Sequence, residues 1–365
     1  CYHTEAPAAA QVGRTAEKQE FTLTALSADE YGWGTERREL HCDSCGTTLA
    51  IEAGSVSTSC PFCASNQVNL RDCTGVALRP RFLITFSVEA RQLARVAKAW
   101  LGQGWMHPDG LKDLASVERF TGVYLCYRTF SAALHSQWEA EVGTARTESY
   151  YDPLSKEWKS RTVIDWEWDS GTVHPRVEDL LVPGTSRLSQ RLLERLHDFD
   201  LSALVEYAPD YLAGWQAQTY DVPLPEAWEQ GKAAMRETAR QACHADIPSS
   251  HVRNFSMTAD FADERWRLVM LPIYISAYQF DGRVFRVLVN GQTGTVSGQK
   301  PVAWWKIWAA IAAMCAPSVL LGLLGLVLLI VGIGVVPLVL AFILLIPAGI
   351  FSFGLYRRAL DSEAE

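Results

Sequence analysis

Fifty consecutive residues, Ile307 to Tyr356, contain no Asp, Glu, Lys, Arg or His. A helix crossing the hydrocarbon core of a bilayer, roughly 30 Å thick, needs only about 20 apolar residues. One helix of the whole run would be far too long, so two spans near 306–331 and 336–356 are expected, broken at 332–337 (Gly-Ile-Gly-Val-Val-Pro). A purely soluble chain is excluded. Trp304, Trp305 and Trp308 at the start, and Tyr356 at the end, sit where interfacial aromatics belong. Lys300 and Lys306 flank the start and Arg357 and Arg358 the end, while the tip is uncharged. The positive-inside rule then places both termini and the preceding body in the cytoplasm. Ala309/Ala313, Ala312/Ala316 and Ser318/Gly322 are small-residue pairs expected to pack within the hairpin, with homo-oligomers left open. The run lacks the ionisable groups that a proton or ion pathway through one copy would use.

Residues 1–305 carry 30 Lys plus Arg against 38 Asp plus Glu, so the body holds the entire formal charge of −8. That balance opposes binding to nucleic acid, which rewards a basic footprint. Of the nine cysteines, Cys42, Cys45, Cys60 and Cys63 form two CxxC knuckles, and Cys1, Cys73, Cys126, Cys243 and Cys315 stand singly. This usage fits a reducing compartment better than a disulfide framework. The initial Cys1 is read as lying inside a longer gene product, in preference to the first residue of a processed lipoprotein.

Along the chain, 1–35 reads as an Ala-rich polar tail and 36–75 as a cysteine-bearing module. Residues 76–300 read as an α+β body, 301–356 as the hairpin and 357–365 as a cytoplasmic tail. LRPRFLITF (78–86) suggests a strand leading to a helix at 88–101 with Ser87 as N-cap. Strand patterns at 122–134, 137–145 and 161–173, separated by turn signals, predict an antiparallel meander. Helical periodicity returns at 186–199 and at 225–243, where Pro225 suits the first turn. A hairpin with an Asp281-Gly282 type I′ turn follows.

Two knuckles fourteen residues apart supply four soft thiolates, the donor set of tetrahedral zinc. The spacing is close to C-x₂-C-x₁₅₋₂₀-C-x₂-C, and four protein ligands leave no open position, so Cys42, Cys45, Cys60 and Cys63 predict a structural Zn²⁺ site. Its removal is expected to unfold 36–75 and leave the larger body folded. A thioredoxin-like redox pair is the runner-up. Residues 36–75 carry three Arg against five acids, and a four-thiolate zinc adds about −2, so protein is the better partner than phosphate. Asp165, Glu167, Asp169, His174 and Asp179 form an acidic run with one His. Because the first three alternate with Trp166 and Trp168, the solvent face of a half-buried strand is preferred over an acid–base or divalent-ion site. No GxSxG, P-loop, HExxH or GxGxxG motif occurs, and neither catalytic nor cofactor-binding residues are assigned.

The segments CDSCG…CPFCAS, LRPRFLITF, TGVYLCYRTFSA, EDLLVPGTSRL, APDYLAGWQAQTYDV and LPIYISAYQFDGRVFRVLVNGQTGTVSGQKP, followed by the apolar hairpin, together resemble bacterial TFIIB-type zinc-ribbon-containing membrane proteins. These are often mislabelled primosomal or helicase-like. The resemblance implies a membrane-anchored protein, encoded near SPFH/flotillin-like and phage-shock-like proteins, with Cys42, Cys45, Cys60 and Cys63 as ligands. It also implies a further upstream zinc motif, of which only Cys1 could be a remnant. Within it, NGQTGTVSG (290–298) reads as a tight turn with two glycines at positive φ, a rigid joint to the hairpin and not a ligand loop. The expected function is a non-enzymatic membrane scaffold that recruits a protein partner, an SPFH/flotillin-like one by resemblance, in membrane stress or microdomain organisation. The alternatives are a membrane-tethered nucleic-acid-binding zinc ribbon and an accessory subunit of a membrane enzyme or transport complex.

Overall fold

A computed structural model of the chain describes residues 12–20, 37–52, 59–72, 80–111, 120–212, 214–330 and 334–364. Cys1, Cys73, Gly332, Ile333 and most of 1–35 lie outside the described residues. In chain order the elements begin with β1 (Gln19–Glu20), β2 (Arg37–Cys42), β3 (Thr48–Glu52), β4 (Val68–Asp72), β5 (Phe82–Leu83) and α1 (Ala90–Leu101). Next come β6 (Thr121–Asp152), β7 (Glu157–Val173), β8 (Arg176–Pro183), α2 (Gln190–Glu194), β9 (Val205–Glu206), β10 (Gln216–Gln218) and α3 (Leu224–Asp246). The last are β11 (His251–Phe280), β12 (Arg283–Asn290), β13 (Val296–Gly298), α4 (Trp304–Leu329) and α5 (Val335–Ala364).

The spine of the body is the antiparallel pair β6–β11, in register from Thr121↔Ile275 to Gly143↔His251. Along the other edge of β6 lie β10, β8 and β7 in turn, and along the other edge of β11 lie β12, β5 and β1. Both sheet faces are covered over the inner half of the spine, so these strands carry continuous apolar runs and not an alternating pattern. Tyr124, Cys126, Phe130 and Met270 face a core with Phe86, Leu93, Trp228 and Met235. Val123, Leu125, Tyr127, Val269 and Leu271 face the opposite core, with Leu192, Leu196 and the cysteine module.

Two of the strands expected from sequence, 122–134 and 137–145, are one continuous strand. Gly143 looks like a turn signal but stays in the ladder, because a Cβ there would lie 2.5 Å from Ile164 Cγ2 and 2.8 Å from His251 Cβ. Glycine lets both neighbouring strands close over it. The length of the spine is accommodated by register shifts at 253–256 and 262–265 on β11 and opposite 130–132 on β8. Asn254, Asp263 and Asp179 hold positive φ at these three places, a conformation that Asn and Asp tolerate better than other side chains. The Asp281-Gly282 turn has φ of 49° and 75°, as a type I′ turn requires.

The helix expected at 186–199 shrinks to α2, although Leu188, Leu192, Leu193, Leu196 and Phe199 are all buried. α3 spans its expected range with Pro225 in the first turn. α1 starts later than predicted, with Glu89 and not Ser87 at the N-cap. The Ser87 and Val88 amides instead both donate to the Gly291 carbonyl, at 2.9 Å, which holds Ser87 outside the helix. Within the expected tail, Val12 and Gly13 donate to the Leu204 carbonyl and β1 pairs with β11. Lys18 lies 3.1 Å from Asp179, whose carboxylate also lies 2.9 Å from the buried Arg267 guanidinium.

α4 and α5 are long and apolar enough to cross a membrane, and few of their residues are buried inside the protein. Their seam contains Ser318, Gly322, Gly325 and Ala341; a Cβ on Gly322 would sit 3.7 Å from that of Ala341. Of the small-residue pairs expected to pack, Ser318/Gly322 is in the seam, whereas Ala309, Ala312 and Ala313 are exposed. Two of the four flanking cations are not free. Lys300 is buried, its ammonium donating to the carbonyls of Trp100 at 2.5 Å and Gln103 at 3.0 Å, and Lys306 pairs with Asp109 at 2.7 Å.

Candidate metal centre

The two knuckles fold the same way. Cys42 N–H donates to the Thr47 carbonyl and Cys60 N–H to the Ser65 carbonyl, while Gly46 N–H donates back to Cys42 and Ala64 N–H to Cys60. Each knuckle is followed by a residue at positive φ, Gly46 at 72° and Ala64 at 57°. In this conformation the second cysteine of each pair turns back toward the first. β2, β3 and β4 form the antiparallel support, with β2 in the middle and β3 joined to the body through β10.

The four Sγ atoms all lie within 4.8 Å of one another. The pairs Cys42–Cys63 and Cys45–Cys60, one from each knuckle, are 3.6 Å apart. A tetrahedron with metal–sulfur bonds of about 2.3 Å has edges of about 3.8 Å, so the two 3.6 Å pairs match its edges and the cluster as a whole is of a size to close on a single tetrahedral ion. They could hold a metal ion. Burial opposes ionisation at Cys45, but hydrogen bonds from the Thr47 hydroxyl and backbone outweigh it and bring its pKa down to about 7. Burial pushes the Cys60 thiol well above its ordinary value and Cys63 up to about 11. Metal uptake must therefore expel protons from the two knuckle-two thiols, and acid favours release.

The module is not a separate bead. Leu40, Cys42, Leu49, Ile51, Cys60 and Phe62 share one buried cluster with Val123, Leu125, Leu271 and Leu288 of the body. The Phe62 carbonyl accepts from Arg286 Nε at 2.7 Å. A CxxC spacing carries no sign of this contact; the apolar Phe62 inside the second knuckle is the one hint.

No family model matches the chain, and no solved structure matches it. It is similar to an uncharacterized protein, YdjG, of Bacillus subtilis (strain 168). The two are 22% identical over 242 residues, which cover 64% of this chain and 67% of the relative. That likeness brings no activity with it.

The acidic run does not converge. Asp165 pairs with Arg146 at 2.9 Å, His174 Nδ1 lies 3.0 Å from His135 Nδ1, and Asp179 faces Lys18 and Arg267. The strand expected there is present in β7, with Asp165, Glu167 and Asp169 on exposed positions and Trp166 half-buried under the Arg253 guanidinium at 4.2 Å, but Trp168 is 65% exposed and not covered as expected. Cys126 and Cys243 are buried, and burial pushes the Cys126 thiol up to about 12, far from a nucleophile.

In NGQTGTVSG only Gly294 takes positive φ, at 84°. Gly291 is needed for a different reason: a Cβ there would lie 2.6 Å from the Phe86 ring. Buried Asn290 accepts from the Gln292 and Thr293 amides and donates to the Leu196 carbonyl and to Asp198, which also accepts from the Thr293 and Thr295 hydroxyls. The polar groups of this turn thus bond to the chain itself.

Proposed function

We propose that the protein is a bilayer-anchored, non-enzymatic scaffold that recruits a protein partner, with a structural Zn²⁺ held by Cys42, Cys45, Cys60 and Cys63 in a zinc ribbon. The observation that supports it most is the four-thiol cluster built into the body's core in a chain that also carries two exposed apolar helices. Four protein thiolates fill a tetrahedral ion, which stabilises the fold and leaves no site for water or substrate. The exposed apolar surface of α4 and α5 would be costly in water and suits lipid. Arg357 and Arg358 at one end favour a cytoplasmic body, where thiolates also stay reduced.

By resemblance the partner is an SPFH/flotillin-like membrane protein. Extraction of the full chain in mild detergent is expected to bring down one protein in near-stoichiometric amount, identifiable by mass spectrometry. If the chain instead comes out alone, or retains RNA or DNA that salt removes, the scaffold reading is wrong; salt-sensitive retention would favour the tethered nucleic-acid-binding alternative.

A further inference from the structure

Residues 102–111, GQGWMHPDGL, leave the C-terminus of α1 and are fastened to the first turn of α4. Ala303 N–H donates to the Met106 carbonyl at 2.8 Å, and the Lys306 ammonium donates to the His107 carbonyl at 3.0 Å and to Asp109. His107 Nδ1 lies 3.0 Å from the Pro301 carbonyl. On the α1 side, Lys300 ties the helix end to the same strap. Met106 packs with Val302, Trp304, Ile307 and Ala359, so the loop sits level with the start of the apolar hairpin.

The chemistry of the loop suits that level. Asp109 is its one acidic or basic residue besides His107, and Lys306 neutralises it. Burial lowers the pKa of His107, which favours the uncharged ring. Trp105, next to Met106, is 54% exposed, and on the adjoining turns of α4 Trp305 and Trp308 are 68% and 57% exposed. An indole with an apolar body and one N–H donor partitions to the head-group region of a bilayer.

We infer that the 102–111 loop is a second membrane contact, with Trp105 seated in the lipid head-group interface beside the start of α4, which fixes how the body stands on the bilayer. This rests on the reading of α4 and α5 as membrane spans. The occupant is lipid and not a protein because the loop is continuous, through hydrogen bonds, with the exposed base of the apolar hairpin.

The full chain in phosphatidylcholine nanodiscs, with acyl chains brominated near the head-group end, provides the test, since bromine quenches only tryptophans that it touches. Trp105→Phe and Trp308→Phe are each expected to lower the lipid-quenched share of emission by roughly a quarter, one of four indoles at this level. Trp158→Phe, at the tip of the β6–β7 hairpin, removes an indole away from lipid and should not lower that share. Should Trp308→Phe lower the share and Trp105→Phe not, the loop faces water and the inference falls while the membrane reading stands. Should neither lower it, both fall.

Discussion

With the proposed Zn²⁺ at the four-thiol cluster, Cys60→Ser is expected to abolish its binding and to destabilise the whole body, by about 4 kcal/mol or more and a fall in Tm on the order of 10 °C. The reason lies in where Cys60 sits. It is 1% exposed, in the same buried cluster as Phe62, Leu125 and Leu288. Three remaining thiols cannot close a tetrahedron, and the knuckle that they release holds Phe62 against the body and its carbonyl against Arg286. The loss therefore spreads beyond 37–72, contrary to the simple expectation from sequence that a detached module unfolds alone. Hydrogen exchange with thermal melting of the purified full chain checks this. A variant that loses protection only in 37–72, with the body melting as in wild type, would refute the shared core.

Asp179→Ala is expected to cost about 3–5 kcal/mol, because it leaves a buried guanidinium without its counter-charge. The Arg267 side chain is 2% exposed, and Asp179 at 2.9 Å is the carboxylate beside it. Its hydrogen bonds besides are to neutral groups, Thr129 Oγ1 at 3.2 Å and the carbonyls of Ala16 and Arg14, and Glu178 adds a weaker attraction than Asp179. Lys18 shares Asp179 and ties 12–20 to the spine, so that segment should come loose first. Asp179→Asn keeps the residue type that tolerates φ of 56° and should lose less. Urea melts of the two variants separate charge from backbone; equal losses would mean that the charge alone decides, and a near-zero loss for Asp179→Asn that the backbone at this bulge dominates.

Much of this was readable from residues. The CxxC pairs predicted the four converging thiols because ligand geometry is local and survives any surrounding fold. The charge-free run predicted two long apolar helices, and Asp281-Gly282 predicted its turn from φ alone. What sequence hid was long-range. β6 read as two shorter strands, 122–134 and 137–145, and only the second half of β11 read as a strand, while Gly143 stays in the ladder as a clearance beneath Ile164 and His251. Asn254, Asp263 and Asp179 look like loop residues but mark the bulges that let 30-residue strands bend. Ser87 had the chemistry of a helix cap, yet a distant carbonyl, Gly291, holds it outside the helix. Lys300 looked like a membrane-flanking cation and is instead buried against the end of α1.

Anchoring by α4 and α5 is tested by alkaline carbonate extraction of membranes from cells making the full chain. The anchored chain is expected to stay in the membrane pellet, and a version ending before Trp304 to move to the supernatant. Release of the full chain by carbonate would contradict it.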